Sequence, residues 1–278
     1  MFLPVFPTAW ITMKRVAFLK LGGSLITDKS KPYTSRPAVI KQIVQEIKEV
    51  LQLRPDLHLV VGNGAGSFAH QSAKKYGTTD GFNNDAGKYG YCVVQNDAVI
   101  LNRMIVEEFL KQGLPAVGFQ PSATILSKNR VPFFQNFTAL QAMIDQKIIP
   151  VVYGDAIVDV AIGATIFSTD RVIECLAKYF HKIPDFKVES ILSIGNYDGV
   201  TDFNGQVIPE ITKDNLSAIS KYLYNCQHVD VTGGMAAKVL ELLAIAKYGI
   251  KSIIVNGAIK NNLKKVLLGE PVLATVIQ

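Results

Sequence analysis

The sequence predicts an α/β fold with a largely parallel central sheet covered by helices on both faces. Short apolar runs alternate along the chain with longer helical patterns, and glycine-rich turns follow most of the apolar runs. This alternation is typical of parallel sheets that are buried on both faces. Of the 278 residues, 49% are hydrophobic and 19% are charged. That composition indicates a globular protein with a sizeable core and excludes a disordered chain.

The first half of the chain contains three of the predicted strands and two long helices. Apolar runs that end at glycine predict strands at Val16–Leu21 and 57–62, and "LPAVGF" predicts the third. Pro37 stands where a helical pattern begins, as expected of a first-turn proline, and Lys88 to Gln112 is mostly helical. Residues 1–13, "MFLPVFPTAWITM", make a poor signal peptide because the apolar stretch has no cationic region ahead of it. We interpret them as a disordered extension or a spurious upstream start.

The second half continues the alternation. Strands are predicted at "IIPVVYGD", "VESILSIG", "SIIVNG" and "LATVIQ". The segment "STDRVIECLAKYF" predicts a helix with Ser168 or Thr169 as its N-cap. Asn204-Gly205 between two apolar ends predicts a hairpin turn. The segment "DVTGGMAAKVLELLAIAKYG" reads as a glycine turn followed by a helix that ends at Gly249.

Charge and cysteine content restrict the partners. The formal charge of +6 is scattered along the chain, which favours a small polyanionic substrate over a nucleic acid. No apolar run reaches the roughly 18 residues that a membrane span needs, so we expect no membrane partner. Cys92, Cys175 and Cys226 are too few and too widely spaced for a disulfide framework or a zinc site. We expect them to be buried free thiols in a reducing compartment, the cytoplasm.

Glycine-rich segments recur where the predicted strands end. "KLGGS", "GNGAGS", "YGD" and "VNGA" follow strands, and "TGGM" leads into a helix. In parallel sheets ligands bind beyond the carboxyl ends of the strands, and glycine lets the backbone approach a ligand closely. Helix N-termini add unpaired N–H groups. With Lys20, Lys29 and Lys238, these turns predict a polyphosphate site, although the chain lacks a P-loop, a G-x-G-x-x-G and the protein-kinase motifs.

These motifs together resemble the amino acid kinase superfamily and, within it, the isopentenyl phosphate kinases. The resemblance runs from about Lys14 to the C-terminus, and its specific part is the pairing of "LKLGGSLITDK" with "GSFAH". It implies an αβα sandwich that phosphorylates isopentenyl monophosphate with Mg-ATP in isoprenoid synthesis by the mevalonate pathway. It also implies a homodimer. The acceptor would bind to the N-terminal part, about 14–165, and ATP to the C-terminal part, about 166–278.

The resemblance also implies the roles of individual residues. Lys29 would reach the transferred phosphoryl group, and the phosphate-transfer path would be lined by Lys20, Gly22, Gly23 and Ser24. Acceptor positions are matched by Ala65, His70 and Gly154, and positions facing ATP by Gly66, Asp170, Gly234 and Lys238. The catalytic set is then Lys20, Lys29, His70, Asp170 and Lys238, while Mg²⁺ would be held mainly by the nucleotide phosphates and by no dedicated protein ligand.

Elementary chemistry supports this division of labour. A phosphate monoester has a second pKa of about 6, so its attacking oxygen is already deprotonated at neutral pH and needs no general base. The barrier is the approach of two anions, which positioned lysines, N–H donors and Mg²⁺ lower. Asp170 would orient Lys20 and Lys238 through charge-assisted hydrogen bonds. Its alternative role is that of a carboxylate stabilised by the helix dipole.

The sequence departs from the family pattern at three places. Ala65 replaces the middle glycine of a run of three, and a methyl group there is expected to narrow the phosphate approach or to exclude a positive φ. The acidic residue before Tyr197 is missing, and Ala69 replaces a glycine. Two alternatives therefore stay open: a kinase of this fold with another acceptor, such as a fosfomycin-type phosphonate or a nucleoside monophosphate, and a non-catalytic nucleotide-binding regulator.

Overall fold

The structure is a computed structural model that describes residues 13–82, 84–223 and 234–278. Its main feature is an eight-stranded sheet of order β10-β12-β11-β9-β1-β2-β6-β3. The strands are β1 (Lys14–Leu21), β2 (Leu57–Asn63), β3 (Ala116–Gly118), β6 (Ile149–Tyr153), β9 (Phe186–Gly195), β10 (Glu210–Ile211), β11 (Ser252–Asn256) and β12 (Ala274–Ile277). The six strands from β11 to β3 are parallel, and β12 runs antiparallel to β11. The predicted α/β class is confirmed.

A second sheet of four strands was not predicted from the sequence. It has the order β5-β4-β7-β8 and consists of β4 (Ile125–Lys128), β5 (Val131–Gln135), β7 (Asp155–Asp159) and β8 (Gly163–Phe167). Four of the five residues of β5 are exposed and the fifth is Pro132, so the strand shows no alternating pattern. One residue, Gly154, separates β6 from β7, and at that point the chain passes from the large sheet to the small one.

Helices pack on both faces of the large sheet. They are α1 (Gly23–Ile26), α2 (Pro37–Leu53), α3 (Gly66–Tyr76), α4 (Asp85–Lys111), α5 (Thr138–Asp145), α6 (Thr169–His181), α7 (Leu216–Leu223), α8 (Gly234–Ala246) and α9 (Asn262–Leu268). Ser168 is the N-cap of α6, because its Oγ accepts a hydrogen bond from the Arg171 N–H at 3.2 Å. The predicted turn at Asn204-Gly205 is confirmed by an antiparallel bridge between Thr201 and Val207.

Strand β1 is buried on both faces and joins two hydrophobic clusters. Val16 and Phe18 pack in the cluster that contains α6 and α8, whereas Leu19 and Leu21 pack in the one that contains α2 and α9. Because side chains alternate along a strand, Lys20 lies on the same face as Phe18, toward α6. The strand period therefore directs a buried lysine toward the helix that carries Asp170.

Some expectations fall outside the described residues, and one is wrong. Cys175 is buried, but Cys92 is exposed, because it lies off the stripe of α4 that faces the core. Cys226, residues 1–12 and most of the "DVTGG" turn lie outside the part of the chain that the structure describes. No helix within the described ranges is both long and apolar enough to cross a membrane.

Candidate active site

The glycine turns meet along the carboxyl edge of the large sheet, where backbone hydrogen bonds join each turn to the neighbouring strand. The bonds run from Gly22 N to Ile194 O (2.7 Å), Gly64 N to Leu21 O (2.9 Å), Gly154 N to Asn63 O (3.3 Å) and Gly257 N to Gly195 O (2.8 Å). The turns that follow β11, β9, β1, β2 and β6 thus form one continuous rim. This is the edge at which ligands bind in parallel sheets.

Two glycines of this rim have no room for a side chain. A Cβ at Gly23 would lie 2.6 Å from the Gly66 nitrogen, and Gly66 has φ +54 with its Cβ position overlapping the Thr27 side chain. Ala65, by contrast, has φ −65 and ψ −24, which is ordinary helical backbone. The expectation that Ala65 would exclude a required positive φ is therefore wrong, because the left-handed position is the next residue.

Two lysines, a carboxylate and a phenol form a polar cluster beneath this rim. Lys20, 9% exposed at the end of β1, has its Nζ 2.9 Å from Asp170 Oδ2 in the first turn of α6. Lys238 on α8 donates a hydrogen bond to the Tyr197 hydroxyl in the loop after β9, and its Nζ lies 5.1 Å from the Tyr197 ring centre. The structure therefore brings together Lys20, Asp170 and Lys238 from three separate parts of the chain.

Attraction within the cluster outweighs the cost of burial. Burial acts to lower the pKa of Lys20, but the attraction of Asp170 and Tyr197 raises it by more. The pKa of Lys20 therefore lies above its ordinary value. Burial acts to raise the pKa of Asp170, while Lys20 and Lys238 lower it by more. The pKa of Tyr197 is likewise lowered, since Lys238 and Lys20 outweigh its burial. The raised pKa of Lys20 and the lowered pKa of Asp170 keep both groups charged at neutral pH, and the lysines gathered at this edge suit a polyphosphate.

Lys29 and His70 lie on connected elements beside this rim. Both side chains are exposed, Lys29 in the turn after α1 and His70 in the second turn of α3. The loop of residues 28–34, which carries Lys29, is bonded to α3, because Tyr33 N donates to Ser67 O at 3.0 Å and Thr34 N donates to Ser67 Oγ at 3.1 Å. The loop with Lys29 therefore rests on the helix that carries His70.

Comparison with known proteins identifies the family. The family model described as amino acid kinase family matches residues 15–256. Isopentenyl phosphate kinase of Methanocaldococcus jannaschii is 32% identical over 265 residues, 92% of this chain and 96% of the relative. That of Methanothermobacter thermautotrophicus is 30% identical over 272 residues, 93% and 97% of the two chains. The chain belongs to the amino acid kinase family, among its isopentenyl phosphate kinases.

A solved isopentenyl phosphate kinase also shares the fold. It aligns with a TM-score of 0.78 at 26% identity, covering 94% of this chain and all of the other. The predicted family and its αβα architecture are thus confirmed by sequence and by structure.

A further set of contacts in this amino acid kinase joins Gly154 to the N-terminus of α6. The Asn63 carbonyl oxygen accepts hydrogen bonds from Thr169 Oγ1 at 2.7 Å and from the Gly154 nitrogen at 3.3 Å. Asn102 holds the Asn63 side chain through a 2.9 Å bond to its Oδ1. Thr169 precedes Asp170, so these contacts fix the helix end that presents the carboxylate. Sequence reasoning assigned no role to Asn63, Asn102 or Thr169 in this contact.

The remaining predicted residues of the kinase lie on elements of the same edge. Ser24 on α1 donates to Asn196 Oδ1 at 3.3 Å, and Asn196 directly precedes Tyr197, where the family pattern has an acidic residue. Gly234 begins α8 with φ +65, one turn before Lys238. Asn196 thus gives the loop after β9 a neutral contact with α1 in place of the missing carboxylate.

Two residues near the cluster were missed from the sequence. In the sequence, Tyr197 was noted only because the acidic residue expected before it is missing. Its contact with Lys238 joins residues that lie 41 positions apart. Glu241 lines a small cavity together with Lys20, Asp170 and Ser193. Burial, with repulsion from Asp170 and Glu174, raises the pKa of Glu241 to about 7. Glu241 lies three residues after Lys238 on one helix, and that spacing was the available signal.

Proposed function

We propose that this kinase transfers the γ-phosphoryl group of ATP to isopentenyl monophosphate. An oxygen of the acceptor phosphate attacks the γ-phosphorus while the bond to the β–γ bridging oxygen breaks, which gives isopentenyl diphosphate and ADP. The observation that carries the proposal is the buried Lys20–Asp170 pair beside Lys238 at the glycine rim. The relatives of about 30% identity over nearly the whole chain, named isopentenyl phosphate kinases, supply the acceptor.

In this proposal the cations oppose the repulsion between the two phosphates. Lys20 and Lys238 bind the phosphates of ATP, and Asp170 keeps the Lys20 ammonium in place. Lys29 contacts the transferred group. Backbone N–H groups contribute from Gly23, Ser24, Gly66 and Gly234. Gly22, whose own N–H donates to Ile194 O, lines the same path. Charge stabilisation of this kind by positioned donors is the main catalytic device in phosphoryl transfer.

The acceptor side is built from Ala65, His70 and Gly154. A phosphate monoester is largely dianionic at neutral pH, so the attacking oxygen requires no base. His70 then serves as a hydrogen-bond donor to the acceptor phosphate, and a protonated imidazole donates more strongly. Its exposed position in the second turn of α3 suits a ligand that arrives from solvent.

The donor set near the site bears on Mg²⁺. Within the described residues, no group of three or more His, Cys, Asp or Glu side chains is placed so that it could hold a metal ion. Asp170 is engaged by Lys20 at 2.9 Å. Mg²⁺ commonly binds through substrate phosphates with few protein ligands, and the residues present fit that mode. Mg²⁺ held by the nucleotide phosphates would neutralise part of their charge.

The proposal includes the division of the chain at about residue 165. Asp170 and Lys238, assigned to ATP, lie on α6 and α8, whereas Lys29 and His70 lie in the earlier part. A cytoplasmic homodimer that supplies isoprenoid synthesis belongs to the same proposal. Size-exclusion chromatography with light scattering tests the dimer.

An acceptor panel tests the function. ATP consumption is coupled to a spectrophotometric readout and measured with isopentenyl phosphate, fosfomycin, uridine monophosphate and N-acetylglutamate as acceptors. We expect isopentenyl phosphate to have the highest kcat/KM, and ³¹P NMR to identify the diphosphate. Preference for another acceptor by about tenfold or more would reject the assignment. ATP binding without turnover on any acceptor would favour a regulator.

A further inference from the structure

The Lys29 loop, residues 28–34 between α1 and α2, is a compact turn. Asp28 Oδ1 accepts hydrogen bonds from Ser30 N at 3.0 Å and Ser30 Oγ at 2.7 Å. Asp28 N donates to Thr34 O at 2.9 Å, and Lys31 N donates to Asp28 O at 3.2 Å. These internal bonds make the loop a small rigid unit. A contact that positions one part of it therefore positions Lys29.

The base of the Lys29 loop is fixed to α3 through Ser67. Ser67 is 2% exposed, and its Oγ pairs with both the N–H and the carbonyl oxygen of Thr34, at 3.1 and 3.2 Å. The Ser67 N–H donates to Thr27 Oγ1 at 3.0 Å, just before the loop begins. Both ends of the loop are thus tied to the first turn of α3.

Tyr33 extends this attachment to a second helix. Its hydroxyl donates to Asp97 Oδ2 at 2.8 Å, and Asp97 is a 5% exposed residue of α4. Its ring meets Phe68 edge-on, with ring centres 5.6 Å apart. Hydrogen bonding to Asp97, then burial, raise the pKa of Tyr33, so the phenol remains a donor at neutral pH.

The backbone of Tyr33 is unfavourable for its residue type. Tyr33 has φ +49, in the left-handed region that bulky side chains rarely occupy. Tyr33 as a residue is 47% exposed, so burial of the ring offsets little of this cost. Strained residues of this kind cluster at functional sites, where the surrounding contacts hold them. The bond to the buried Asp97 carboxylate is the contact that the strained backbone makes possible.

We propose that Tyr33 is a positioning residue for Lys29. Its hydrogen bond to Asp97 holds the Lys29 loop against α3 and α4, so that the Lys29 side chain meets the transferred phosphoryl group on the acceptor side. The inference rests on the proposed function, because it requires the role given there to Lys29. Tyr33 acts through Lys29 and does not itself touch the phosphates.

A double-mutant cycle tests the inference. Tyr33→Phe removes the hydroxyl and keeps the ring on Phe68; we expect kcat to fall about five- to tenfold, with KM for ATP within about twofold of wild type. In a Lys29→Ala background the same change should have almost no further effect, because the group that Tyr33 positions is gone. Asp97→Asn, which keeps an acceptor oxygen, should retain most of the activity, and Asp97→Leu should match Tyr33→Phe.

The control is Tyr179→Phe. The Tyr179 hydroxyl also donates to a side chain, Gln141 Oε1 at 2.9 Å, but it lies near the far end of α6 from Asp170, so its loss should leave kcat unchanged. If Tyr33→Phe slows the Lys29→Ala enzyme as much as it slows wild type, or leaves kcat unchanged, the inference is overturned. A general loss of folding would slow both backgrounds equally, whereas positioning of Lys29 would slow only the wild-type background, so the cycle separates the two explanations.

Failure of the proposed function has a different signature. A Lys29→Ala enzyme with wild-type kcat would overturn the role of Lys29, and this inference with it. A slow Lys29→Ala enzyme combined with additive effects of Tyr33→Phe would overturn the inference alone and leave the proposed function standing.

Discussion

Asp170→Asn should destabilise the protein and slow phosphoryl transfer together. The substitution preserves the shape of the side chain but removes the charge that pairs with Lys20 at 2.9 Å. Breaking a buried ion pair from one side costs about 3–5 kcal/mol of unfolding free energy. The side chains of Lys20 and Asp170 are 11% and 19% exposed, so the pair is not fully buried. We therefore expect the loss of unfolding free energy to lie at the lower end of that range, about 3 kcal/mol. A melting-temperature decrease of roughly 6–12 °C would follow.

Activity should fall further than stability accounts for. Without the carboxylate the Lys20 ammonium is no longer oriented, and the loss of one positioned donor typically lowers kcat about 10²-fold. Urea unfolding gives the stability, and coupled ATP consumption with isopentenyl phosphate at a temperature where the variant is folded gives kcat.

The pKa of Asp170 is lower in the folded protein than in the unfolded chain. The stabilisation is therefore complete above about pH 4 and is lost as the pH falls through the folded-state pKa, so the wild-type advantage should shrink on acidification.

Glu174→Gln is the matched control on the same helix. Glu174 pairs with Lys178, whose side chain is 36% exposed, one turn away on the same helix, and an i,i+4 pair of this kind is worth about 0.3–0.5 kcal/mol. We expect the control to lose that amount or less and to keep wild-type kcat. If Asp170→Asn behaves like Glu174→Gln in both assays, the pair with Lys20 is a surface contact in energetic terms and the reasoning fails.

Three further predictions test other parts of the site. Gly66→Ala should cost about 1–3 kcal/mol of stability or more, because φ is +54 at this position and a Cβ would overlap the Thr27 side chain. Ala65→Gly should change stability by about 1 kcal/mol or less, so equal costs of the two substitutions in thermal melts would contradict this prediction. Glu241→Gln should match wild type near pH 4 and be more stable than wild type near pH 8. A carboxyl whose folded-state pKa is raised to about 7 destabilises the protein as the pH rises from about 4.5 through that value, and a pH-independent difference in urea unfolding would refute the burial of its charge. His70→Ala should depress activity with the phosphate acceptor and leave ATP affinity nearly unchanged by calorimetry; unaltered acceptor KM and kcat would return His70 to a structural role.

The sequence predicted those parts of the site that local pattern encodes. An unbroken apolar run that ends in lysine and glycine places Lys20 at a strand end, and the strand period decides which face it takes. The N-cap before Asp170 places that carboxylate in the first turn of a helix. The structure adds the 2.9 Å distance that joins them across 150 positions of sequence.

Other features arise only from tertiary contacts. The bond between Lys238 and Tyr197 joins two segments that have no shared pattern, so no local signal could reveal it. The second sheet escaped prediction because β5 is exposed on both faces and contains a proline. Ala65 looked like an obstacle because the residue type alone does not show which position of the turn is left-handed. The geometry assigns that conformation to Gly66.

Ammonium groups gathered at one sheet edge offset the repulsion between the two phosphates, and Lys20→Met removes one of these groups. Single-turnover transfer from γ-labelled ATP to isopentenyl phosphate is measured by rapid quench, with Lys178→Met, one turn from Glu174 on α6, as the control. We predict that Lys20→Met slows the transfer step by about 10²-fold or more while Lys178→Met stays within about twofold of wild type. A Lys20→Met enzyme that transfers phosphate at the wild-type rate would contradict the account.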